Sequence, residues 1–78
     1  MAVKPKREYS SSIRERQAAE TRRLILDAAK RMFEQQGFSA TTMQAIAAEA
    51  GVVTKTVYTA FATKSGLLSA LWDRTLRG

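Results

Sequence analysis

Seventy-eight residues make a single domain, and a chain this short buries only about 60% of the surface its unfolded form exposes. With 45% hydrophobic residues it can build a core, while the absence of cysteine and histidine excludes disulfides, thiolate or imidazole metal sites and the usual general base. Thirteen Lys and Arg against seven Asp and Glu leave a net charge of +6, an excess that points to a polyanionic partner: DNA, RNA or an anionic membrane surface.

Most of that charge lies at the start. Residues 1–23 hold seven of the basic groups and three of the acidic ones, or +4. Among the first eleven residues Met1, Ala2, Val3 and Tyr9 form no helical stripe, and the stretch carries Pro5 and runs into Ser10-Ser11-Ser12. They read as a mobile tail. Lys4, Lys6 and Arg7 on such a tail suit added phosphate contacts. No apolar stretch follows Met1 to Pro5 as it would in a signal peptide, and no run approaches the roughly 18 residues of a membrane span. The expected compartment is the cytoplasm.

Helix signals dominate the rest. Ser12-Ile13-Arg14-Glu15 has the form of a capping box, so a first helix starts there or near Ala18, where its apolar stripe strengthens. The stripe is Ile25, Leu26, Ala28, Ala29, Met32 and Phe33. Gly37 stops the helix by taking positive φ, and Phe38 is placed to fold back onto Phe33. Thr41 and Thr42 are both candidate caps for a short second helix ending at Gly51, Thr41 by pairing with Gln44. A third short helix fits Val53 or Thr54 through Ala60 or Phe61. Thr63 caps a fourth, with Leu67, Leu68, Leu71, Trp72 and Leu76 on one side; Trp72 is expected to pack with Leu68 and Leu76. Val52-Val53-Thr54 is too short to hold a strand.

Residues 43–61 fit a helix-turn-helix. Ala47 is small enough for the helix crossing, Gly51 tolerates the tight turn, and Ile46, Ala50, Val52, Val57 and Phe61 lock the pair. With Val57 and Phe61 inward, the third helix turns Thr54, Lys55, Tyr58 and Thr59 outward. That face has one cation, several hydroxyls and no acid, so it can approach a phosphate-lined groove without repulsion. The fold class is therefore all-α: a small bundle of three helices with a helix-turn-helix, plus the start of a fourth.

From about Thr21 to Leu71 the chain resembles the N-terminal DNA-binding domain of the TetR family of bacterial transcriptional regulators. The resemblance rests on Ile25-Leu26-Asp27-Ala28-Ala29, Phe33 and Gly37-Phe38. It continues through Thr41-Thr42-Met43-Gln44-Ala45-Ile46-Ala47, Ala50-Gly51-Val52, Thr56-Val57-Tyr58, Phe61, and Lys64 followed by Leu67-Leu68. One departure is Val53, where the family often has a capping Ser; this leaves the start of the third helix open.

The resemblance implies sequence-specific binding of double-stranded DNA, at a palindromic operator, by a homodimeric repressor. It implies Thr54, Lys55 and Thr59 as base readers, with Thr56 also on the DNA-binding helix. A lysine there reaches guanine O6 and N7, and a threonine methyl packs on a thymine methyl. Tyr58 and Thr42 are implied as phosphate contacts, Thr42 also being an N-cap. Gln44 reaches a base or phosphate, and Lys64 clamps a phosphate from the first turn of the fourth helix, where a lysine is unfavourable for the helix dipole. The expected organisation is a flexible basic arm over 1–17 and a TetR-type DNA-binding domain over 18–78. The family's larger C-terminal domain, which binds a small-molecule inducer and makes the dimer, is not encoded here. The chain then reads as a fragment or a truncated protein, with Trp72 and Leu76 exposing surface that meets the missing part.

Two other classes compete. A helical protein-interaction module without nucleic-acid binding would use Tyr58, Trp72 and Leu76 as a docking patch. A membrane-surface peptide is disfavoured because the first helix's stripe is rich in alanine. An enzyme is not expected: there is no histidine or cysteine, no glycine-rich phosphate loop and no acid pair near a nucleophile, nor is any cofactor.

Overall fold

In the computed structural model, which describes residues 6–77, the chain forms helices α1 (Lys6–Gln36), α2 (Met43–Ala50), α3 (Thr54–Ala60) and α4 (Lys64–Arg77). No strand occurs among the described residues. α1 begins well before Ser12, so Ser12 and Glu15 lie inside the helix and not at its start. The expected 1–17 arm is accordingly helical from Lys6 onward, while Lys4 lies outside the described residues. No glycine or proline interrupts Lys6 to Gln36, and the Glu, Arg, Gln and Ala of this stretch are good helix formers. The three serines cost too little to stop it.

α1 ends as its sequence demands. Gly37 takes φ +88°, and its N–H donates to the Phe33 carbonyl at 2.9 Å. Phe38 returns onto Phe33 with ring centroids 5.3 Å apart. The adjacent threonines then divide their roles. Thr41 is fully buried and its hydroxyl donates to the Gly37 carbonyl at 2.8 Å. Thr42 takes the N-cap, its Oγ1 accepting the Ala45 N–H at 3.0 Å. Thr63 does the same for α4, accepting from the Gly66 N–H at 2.9 Å.

The core gathers Ile25, Leu26, Ala28 and Ala29 of α1 against Met43, Ile46 and Ala47 of α2, Val57 of α3, Phe61, and Leu67 and Leu71 of α4. Ile25, Ile46, Val57 and Leu67 are completely enclosed, each worth about 1.5–3 kcal/mol relative to exposure. α1 packs against both α2 and α4. Two ion pairs lie over these seams: Arg31 to Glu49 on α2 at 3.0 Å, and Arg74 of α4 to Asp27 at 3.0 Å. Such exposed pairs contribute roughly 0–1 kcal/mol each.

Trp72 does not join the core. It is 61% exposed and Leu76 is 79% exposed. Leu67 and Leu71, four residues apart, face α1. Trp72 is turned about 100° from Leu71 around the helix, which leaves it on the rim of an open groove floored by Phe33 and Leu68.

Candidate nucleic-acid interface

The helix-turn-helix is built on two local events. Ala47 is buried where α2 meets its partner, and its carbonyl accepts the Val52 N–H at 3.0 Å across the turn. Gly51 sits between them at φ +78°, ψ 29°, the left-handed conformation that lets the chain reverse within one residue. Met43 and Ile46 on α2 and Val57 on α3 then close the hairpin.

α3 begins at Thr54. Val53 occupies the N-cap with extended backbone and supplies no side-chain hydrogen bond, so the cap is made by the backbone alone, through the Thr56 N–H to the Val53 carbonyl at 3.0 Å. With Val57 fully buried, Lys55, Tyr58 and Thr59 are exposed. Their spacing of three and four places them on one face. Thr54 and Thr56 are half-buried and flank that face. At the start of α2, Thr42 and Gln44 are exposed. Thr42 Oγ1 accepts from Ala45, which leaves its own O–H available to an anion.

The electrostatics suit an acidic ligand. Between Thr42 and Ala60 the only acid is Glu49, and Arg31 engages its carboxylate at 3.0 Å. Lys55 is the one cation of the same stretch. On α1, Arg23 hydrogen-bonds Glu20, and that bond holds the Glu20 carboxyl below its ordinary value.

Lys64, implied by the resemblance as a phosphate clamp, has partners within the fold. Its ammonium turns onto the α1–α2 loop, donating to the carbonyls of Phe38 at 2.7 Å and Thr41 at 2.8 Å. It also sits over the Phe38 ring, 4.4 Å from the centroid. Two carbonyl oxygens and an aromatic face outcompete water for a cation that the α4 dipole repels. One residue escapes sequence reasoning altogether. Arg22 of α1 donates from Nη1 to the Ala60 carbonyl at 3.1 Å, at the end of α3. No sequence pattern links positions 38 apart.

Comparison with known proteins falls on this same region. The family profile described as "Bacterial regulatory proteins, tetR family" matches residues 25–71. The chain is 47% identical over 57 residues to the HTH-type transcriptional regulator AcrR of Shigella flexneri, an alignment covering 73% of this chain and 26% of that relative. The chain thus spans about a quarter of the length of the curated relative it matches. No solved structure matches.

Proposed function

The chain belongs to the TetR family of bacterial regulatory proteins, and from that membership we propose that it reads a palindromic double-stranded operator with α3, as the DNA-binding domain of a homodimeric repressor in the cytoplasm. The observation that carries this reading is the exposed Lys55, Tyr58 and Thr59 face of α3, on a helix with no acid. Lys55 and Thr59 meet base edges, with Thr54 and Thr56 at the margins of the contact. Tyr58 and Thr42 bind backbone phosphates and set the register. Gln44 contacts a base or phosphate beside Thr42. Residues 18–78 are the DNA-binding unit, whereas dimerisation and inducer binding belong to a separate C-terminal domain of the kind that longer family members carry.

The test is binding-site selection from random duplexes, followed by titration of the selected duplex over a range of salt. A palindromic motif whose affinity falls steeply with salt supports the reading. A second reading, a protein-docking module, is favoured by exposed Trp72 and Leu76 on α4. Selection that yields no motif and no salt-dependent binding decides for it.

A further inference from the structure

We infer that Arg22 is a positioning residue for the DNA-reading helix: from α1 it holds the C-terminal end of α3, and so sets how α3 presents Tyr58 and Thr59. The inference rests on the reading of α3 as the helix that enters the groove.

α3 is only seven residues long, far below the length at which an isolated helix persists in water. Its ends are poorly provided for by its own sequence. Val53 offers no side-chain cap, the first turn has no acid, and the last turn has no base. Beyond Ala60 the chain leaves the helix at once, Phe61 being extended at φ −139°, ψ 108°. The Phe61 N–H satisfies the Val57 carbonyl at 2.8 Å. The Ala60 carbonyl, one of the outward-pointing carbonyls at the negative end of the helix dipole, is left to a group from elsewhere.

Arg22 is that group. Its Nη1 reaches the Ala60 oxygen at 3.1 Å. Its guanidinium carbon lies 4.5 Å from the centroid of the Phe61 ring. The ring is buried among the core side chains, so it is a fixed platform for the guanidinium plane. The contact therefore combines a charge-assisted hydrogen bond, a cation at a helix C-terminus and a cation on an aromatic face. α3 packs chiefly on α2; Phe61 and Arg22 tie its far end to α1. Tyr58 and Thr59 directly precede Ala60, so release of this end changes the angle at which they leave the surface.

The experiment compares the 78-residue chain with Arg22→Met, which keeps the length of the stem, and Arg22→Lys, which keeps charge and a donor. Amide hydrogen exchange is measured without DNA. In Arg22→Met the amides of Tyr58 to Phe61 exchange roughly fivefold faster, with those of the α1 and α4 cores unchanged, and Arg22→Lys recovers most of the protection. Both variants are also titrated with the duplex selected by the parent chain and with a random duplex. Arg22→Met lowers the ratio of the two affinities about threefold or more while the salt slope stays the same. The inference is overturned by unchanged exchange at α3, or by exchange that rises equally in every helix. It is also overturned if both affinities fall alike and the salt slope drops by about one, which makes Arg22 a phosphate contact. Because exchange is read without DNA, faster α3 exchange in a chain that binds no duplex leaves the tie standing and removes the function proposed for the helix.

Discussion

The Lys64 ammonium donates to the Phe38 carbonyl at 2.7 Å and lies 4.4 Å from the centroid of the same residue's ring. One residue thus offers a lysine both its backbone oxygen and its aromatic face. Because Lys64 also bonds the Thr41 carbonyl at 2.8 Å, the start of α4 is stapled to the loop that launches α2.

This staple makes Lys64 a stability residue first. Lys64→Met keeps the stem and removes the charged donor, leaving two part-buried carbonyls without it. The expected loss is about 1–3 kcal/mol, read as a drop of about 4–8 °C in Tm for each kcal/mol in a domain of this size. Thermal unfolding followed by circular dichroism checks it. On DNA the salt slope is expected to stay constant; a decrease of about one marks a phosphate contact instead.

Thr42 carries two separable roles. Thr42→Ala removes the N-cap of α2 and is expected to cost about 1 kcal/mol, whereas Thr42→Ser retains both the cap and the free hydroxyl. Denaturant unfolding of the pair measures the cap. If the hydroxyl also meets a phosphate, Thr42→Ala weakens selected and random duplexes by a similar factor and Thr42→Ser does neither.

Gly51 isolates a purely conformational cost. Nothing lies within 4 Å of a Cβ built there, yet its φ is +78°. Gly51→Ala is therefore expected to destabilise by about 1–2 kcal/mol through left-handed strain alone, and Gly51→Asn by less, since asparagine tolerates this region. Equal losses for the two variants point to a steric cause.

Lys55 and Tyr58 share the exposed face of α3 but are expected to fail differently. Lys55→Ala costs about 1–3 kcal/mol on the selected operator and relaxes discrimination at one base pair per half-site. Tyr58→Phe weakens selected and random duplexes by similar factors, because a phosphate contact carries no sequence information. Binding-site selection with both variants checks this. An intact motif for Lys55→Ala with an altered one for Tyr58→Phe exchanges the two roles.

By itself the sequence determined whatever depends on neighbours three or four residues away. The stripe from Ile25 to Phe33, the glycine stop at Gly37, the turn at Gly51 and the cap at Thr63 are local matters of φ, periodicity and short hydrogen bonds. Each stands where the residues place it. The helix-turn-helix was legible for the same reason: Ala47, Gly51 and Val57 define it within eleven residues. The start of α1 was not, because without a glycine or proline to stop it a helix boundary rests on small propensity differences.

Only the tertiary structure decided the rest. Between two adjacent threonines it chose Thr42 as the cap, since the Thr41 side chain is fully buried and its hydroxyl is bonded to the Gly37 carbonyl. It turned the Lys64 ammonium onto the α1–α2 loop, and it left Trp72 exposed instead of packed with Leu68 and Leu76. It brought Arg22 to Ala60, a pairing without sequence signature. A long cation goes to whichever oxygens and rings other elements bring within reach. An aromatic on a short helix is buried only if another element covers its face. Periodicity specifies which residues share a face; packing alone specifies what, if anything, lies against it.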